Sequence, residues 1–118
     1  MSSRTIPSHY ILKASEATNF NHAWRLPPRD ALALLQPGFI VKICIGTHKG
    51  TKPEAPWVII LSRSGSKFRG TINNHLAKSV DHGLVYGSNI DFKLENIIDI
   101  MFERPKPIDP KKKEFRII

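Results

Sequence analysis

One cysteine, Cys44, stands in a chain of 118 residues. A lone cysteine excludes an internal disulfide framework. It sits in the apolar run 39–45, where a thiol behaves as a small buried hydrophobe rather than as a reactive group. Long apolar runs are also missing. None approaches the ~18 residues that a membrane-spanning helix needs, and residues 1–7 lack the apolar core of a secretory leader. These absences point to a cytoplasmic protein with no membrane partner. Acidic residues are scarce, ten against eighteen Lys/Arg, which leaves a formal net charge of +8. That excess suits an acidic protein face or a polyanion, and it also serves solubility. It is spread evenly, because residues 1–56 and 57–118 each carry half of it.

Phosphate-cradling signatures are absent as well: neither G-x-G-x-x-G nor a Walker pattern occurs. Ser64-Gly65-Ser66 is not flanked by the strand-to-helix pattern of a nucleophile elbow. Cys44 with a histidine would make a nucleophile and base, but it lies inside a strand-like run. His75, Asp81 and His82 share one polar segment without the close spacing or the cysteines that zinc favours. Asp91, Glu95 and Asp99 are read as charge partners of nearby Lys/Arg rather than as acid–base groups. The chain is therefore expected to be no enzyme and to hold no metal and no cofactor.

What is present is alternation. Residues 39–45, 57–61, 67–72, 89–94 and 97–102 place apolar side chains at every second position, the period of a strand. Phe39, Val41, Ile43 and Ile45 share one face. The other face, with Ile40 and Cys44, needs covering by a helix or by the N-terminal arm. Trp57, Ile59 and Leu61 share a face opposite Val58 and Ile60. Phe68 and Ile72 point inward around Gly70, a mid-strand glycine that signals a bulge or sharp bend. Ile98, Ile100 and Phe102 are the expected core side of the last strand. The short glycine-containing link 62–66 predicts an antiparallel hairpin. Residues 46–56 and 73–83 are loops by composition. Leu26-Pro27-Pro28 with Asp30 opens a short helix, whose stripe is Ala31, Leu34 and Leu35, and Gln36-Pro37-Gly38 ends it.

The expected fold is α+β: a small, strongly bent antiparallel sheet or SH3-like barrel of about five strands with one short preceding helix. The organisation divides into an N-terminal arm (1–23), a β-barrel-like domain with its leading helix (24–102), and a basic, proline-containing tail (103–118).

Trp57-Val58, Gly70, Asn73-Asn74, Gly83-Leu84-x-Tyr86-Gly87 and Asn96-Ile97-Ile98-Asp99 form a spaced set. So do the upstream Trp24-Arg25-Leu26-Pro27 and Leu35-Gln36-Pro37-Gly38-Phe39. Through them the chain resembles the bacterial domain-of-unknown-function family 2314 over residues 24–100. It departs in its longer 46–56 loop and its basic tail. The resemblance implies a small α+β domain and carries no reaction. Some small bacterial domains of this kind act as immunity proteins, a class to weigh here.

The basic groups are the remaining candidates. Arg63, Lys67 and Arg69 on the middle hairpin, Lys78 in the following loop, and Lys111, Lys112 and Lys113 in the tail form the expected partner-binding set. The leading expectation is a non-enzymatic protein-binding domain, of immunity or regulatory type, with an acidic partner. The alternative is a nucleic-acid-binding small barrel using the basic hairpin. Against that alternative, the outward hairpin positions are Lys, Arg and Thr, without the aromatics on which bases stack.

Overall fold

In a computed structural model, residues 9–21, 26–47, 52–77 and 79–101 are described. The elements in order are β1 (Tyr10–Ile11), α1 (Ala14–Ala17), α2 (Arg29–Ala33), β2 (Ile40–Ile43), β3 (Ile45–Gly46), β4 (Trp57–Ser64), β5 (Lys67–Ile72), α3 (Ser79–His82), β6 (Asn89–Lys93), a 3-10 turn (Leu94–Asn96) and β7 (Ile97–Ile100). Five strands make one antiparallel sheet in the order β6-β5-β4-β2-β7, and β1 pairs with β3 in a second, two-stranded sheet. The class is α+β, as the alternation implied. Among the described residues β6 and β7 are sheet edges with no ladder between them, so the sheet is not a closed barrel.

The period-two pattern decides the core. Val41, Ile43, Ile45, Val58, Ile60, Phe68, Ile72, Ile90, Phe92, Ile97 and Ile100 form one buried cluster, with Leu35 and Leu84 at its margin. Phe68 and Phe92 stack across β5 and β6, ring centroids 5.3 Å apart. The second face of the 39–45 run is covered too. Leu12, Ala14 and Ala17 pack with Cys44 and Ile98 into a smaller cluster. The N-terminal arm does this covering rather than the leading helix. Lys13 N–H donates to Glu16 Oε1 at 2.9 Å, which ties down the start of α1.

Several details differ from the sequence reading. Residues 73–83 are not all loop, because Ser79–His82 forms a helical turn. Ile98 does not share a face with Ile100. The β2–β7 register shifts between Lys42 and Ile43, where Lys42 faces Asp99 and Ile43 faces Ile97. Ile98 is the extra residue and turns towards α1. In α2 the stripe is Ala31, Leu32 and Leu35, whereas Leu34 is 70 % exposed. The helix ends at Ala33, and the following turn swings Leu34 outward. Phe102 falls outside the described residues.

The bend lies where glycine predicted it, and its partner is a bulge on the neighbouring strand. Ile60 faces Gly70 and Ser62 faces Arg69, which leaves Leu61 without an opposite residue and 47 % exposed. A Cβ at Gly70 would overlap Val58 Cγ1 and lie 2.7 Å from the Ile59 carbonyl oxygen. Backbone cannot yield as a side-chain tip can, so β4 and β5 approach this closely only over glycine. Gly70→Ala is expected to cost about 1–3 kcal/mol in chemical denaturation, as overpacking does. Cys44 supplies a second check. Burial pushes its thiol up to about 11, so it should resist a disulfide reagent at pH 8 in the native protein and react at once in denaturant.

Candidate functional site

The bulge at Leu61 determines which hairpin cations are available. Strict alternation from Trp57 would put Arg63 on the Ile59 face. The extra residue instead sets Arg63 opposite Phe68, with its guanidinium over that ring at 4.8 Å. From there Nη1 donates to the carbonyls of Leu32 at 3.0 Å and Leu35 at 2.9 Å, and Nε donates to Gly65 at 2.7 Å. The Leu32 and Leu35 carbonyls lie at and just past the end of α2, where a cation also meets the negative pole of the helix. Arg63 fastens α2 to the hairpin and is not free to meet a partner.

Lys67 and Arg69 point to the opposite, outward face. Arg69 is matched by an acid: its Nε lies 3.0 Å from Asp91 Oδ1, and Nη2 donates to Asp91 Oδ2 at 3.3 Å. Such an exposed pair adds little stability. Lys67 stands directly opposite Lys93 on β6. Like charges on one cross-strand rung repel, and among the described residues neither ammonium has an acidic partner. Lys93 was absent from the sequence-level set. Its strand was legible, but its opposition to Lys67 depends on the β5–β6 register. Lys78, Lys111, Lys112 and Lys113 lie outside the described residues.

A groove of about 760 Å³ runs along this charged end. Its walls are Ser62, Ser64, Lys67 and Arg69 from the hairpin and Asp91, Phe92 and Lys93 from β6. His9, Tyr10, Ile11, Glu95 and Asn96 close the other side. Asn96 holds the two sides together. Its Nδ2 donates to the Leu12 carbonyl at 3.0 Å, and its Oδ1 accepts from the Lys93 N–H at 2.7 Å. Tyr10 is an exposed ring laid over Gly46, where any Cβ would meet it at 2.7 Å. The pKa of His9 is lowered, first by partial burial and then by His82 nearby. β1 and the hairpin line one groove although more than fifty residues separate them, a placement that local sequence does not mark.

The histidines of the 73–83 segment separate. His75 lies against Tyr86 on the surface, centroids 5.0 Å apart. His82 is 2 % exposed. Its Nδ1 accepts the Leu84 N–H at 3.1 Å, so Nε2 carries the proton that it shares with Glu54 Oε1 at 2.8 Å. The other Glu54 oxygen accepts the Ala77 N–H at 2.9 Å. With both ring nitrogens engaged, this buried pair locks the 46–56 connection onto α3 and has no free atom to offer a substrate.

No protein-family model matches the chain, and comparisons with curated proteins and with solved structures return no match. The functional reading therefore rests on the groove. One structural consequence is open to direct test. Arg63→Ala should lower stability by about 2 kcal/mol, the scale of hydrogen bonds from a charged donor. Arg63→Lys should recover less than half of that, because an ammonium cannot span the carbonyl fork. Lys67→Ala should leave the denaturation midpoint unchanged or slightly raised.

Proposed function

We propose that this is a non-catalytic protein-binding domain, regulatory or immunity-like, that recognises an acidic segment of a partner in the groove beside Tyr10. The observation that carries this reading is the Lys67–Lys93 rung: two cations placed side by side with no ion-pair partner among the described residues, next to Ser62 and Ser64 and an aromatic ring. The arrangement costs stability unless a ligand carboxylate joins it. The state of the reactive groups supports the non-catalytic part. The Cys44 thiol is fully buried with its pKa raised, and both nitrogens of His82 are engaged.

For the fold we propose a rolled, SH3-like half-barrel. Three features support it: β2 bonds both β4 and β7, β4 bends at its bulge, and a single 3-10 turn joins the two edge strands. Such rolling brings the hairpin end towards β1 and so forms the groove.

A second reading, single-stranded nucleic acid, draws some support from the exposed Tyr10 in the groove. Among the described residues Tyr10 is the one exposed ring in the groove, since Phe68 and Phe92 of its lining are buried, and the exposed Tyr86 sits at the far end of β5 beside Asn73. Successive bases would find no continuous stacking surface.

The two readings separate in one anisotropy experiment at ~50 mM salt, where electrostatic binding is strongest. A labelled Glu-containing ten-residue peptide should bind, and Lys67→Ala/Lys93→Ala should weaken it by about tenfold or more. Binding of a labelled oligonucleotide with the same mutational loss, and none of the peptide, would replace the first reading with the second.

A further inference from the structure

The sheet has two edges, and they are treated differently. On β7 the Ile100 N–H is taken by the neighbouring Asp99 carboxylate at 2.8 Å. The same strand is flanked by α1, against which Ile98 is buried. On this edge an outward N–H is thus satisfied within the chain, and a helix packs beside the strand. On β6, Leu94 N–H donates to Ser66 and Ile72 N–H donates to Ser88. Even-numbered residues of β6 therefore turn their backbone towards β5. The N–H and C=O of Asn89 and Asp91 point outward, and among the described residues nothing pairs with them. This open edge also supplies Asp91, Phe92 and Lys93 to the groove wall.

We infer that an extended acidic peptide docks by adding a strand to β6, with a carboxylate opposite Lys93. This deepens the protein-binding reading above and rests on it. Strand addition gives backbone hydrogen bonds to Asn89 and Asp91, and alternate side chains read the rungs. The Lys67–Lys93 rung is continued by the added strand, and its residue there is Asp or Glu. Two residues along, the Arg69–Asp91 rung is already neutral. A carboxylate there would face Asp91, so Ser, Thr, Lys or Arg is preferred. The residue between them lies on the Phe68–Phe92 side and is apolar.

A second copy of this chain is a poor occupant. Antiparallel pairing of two β6 strands about Asp91 would oppose one carboxylate to the other. Pairing about Phe92 would lose the Lys93 N–H, already donated to Asn96, twice by symmetry, whereas an added peptide forgoes that bond once and keeps those to Asn89 and Asp91. Both of these registers are disfavoured, one means by which an exposed edge resists self-pairing.

The test uses the full chain and a labelled peptide that alternates Glu and Thr on one side and Val on the other. Each peptide amide is N-methylated in turn. Strand addition predicts a period of two: methylation at every second residue weakens binding about tenfold or more, and the intervening positions change it less than about threefold. Lys93→Glu should abolish binding of the parent peptide and restore it for a peptide with Lys at the matching position. If the peptide binds and N-methylation shows no alternation, strand addition is wrong and the groove reading stands. If no acidic peptide binds, both fall. Concentration-dependent dimerisation that Asp91→Lys abolishes would also overturn the inference, since the edge would then be occupied by a second copy.

Discussion

The close approach of β4 and β5 at Gly70 is the constraint on which the rest depends. Two strands cannot come this near with a side chain between them, and the Leu61 bulge opposite lets β4 turn at the same point. One extra residue reverses the phase of everything after it. Before the bulge the inward positions are Val58 and Ile60. Beyond it the inward position is Arg63. A cation so placed would be a liability in an apolar core. It lies at the rim instead, stacked on Phe68 and satisfied by the last carbonyls of α2. The same shift aligns Ser62 with Arg69 and Ser64 with Lys67 on the outer face, so groove and helix anchor arise from a single backbone irregularity.

Around that bend the chain is held by polar staples of long sequence separation. Asn96 joins the 3-10 turn to the arm, and His82 with Glu54 joins α3 to the 46–56 connection. Each is buried, and each has its hydrogen-bonding capacity largely used. Such groups cost much more when left half-satisfied than they contribute when complete. They specify where the short β1 strand and Glu54 lie, which two or three apolar contacts could not do alone. The groove inherits its width from the Asn96 staple.

Much of the sheet was legible because period-two alternation survives wherever one face is buried. Phe68, Ile72, Ile90 and Phe92 followed it without exception. The pattern failed at three places, each for a local reason. Leu61 and Ile98 are bulge residues, and alternation carries no mark of an insertion. Leu34 follows a helix of one turn and a half, too short for its stripe to be read beyond Ala33. The α3 turn was hidden by its polar composition. For the groove, the cations Lys67 and Arg69 were readable as outward positions. The exclusion of Arg63 and the inclusion of Lys93 were not, because both are set by cross-strand register rather than by local sequence.

Charge placement on the outer face follows the same register logic. On β5–β6 the rung nearest the hairpin turn is doubly positive, the next is a matched Arg–Asp pair, and the third is a neutral Thr71–Asn89 hydrogen bond of 2.9 Å. A uniformly basic strip would attract any polyanion at low salt and release it as salt rises. A graded strip does something narrower. Coulombic attraction acts at one rung, while the neighbouring rung penalises a second carboxylate through Asp91. Specificity then comes from the repulsive element as much as from the attractive one. A net charge of +8 would steer an acidic segment at long range. In the proposed mode of binding, the spacing of the Lys67–Lys93 rung from the Arg69–Asp91 ion pair, about 7 Å along a strand, is what would distinguish one extended acidic segment from another.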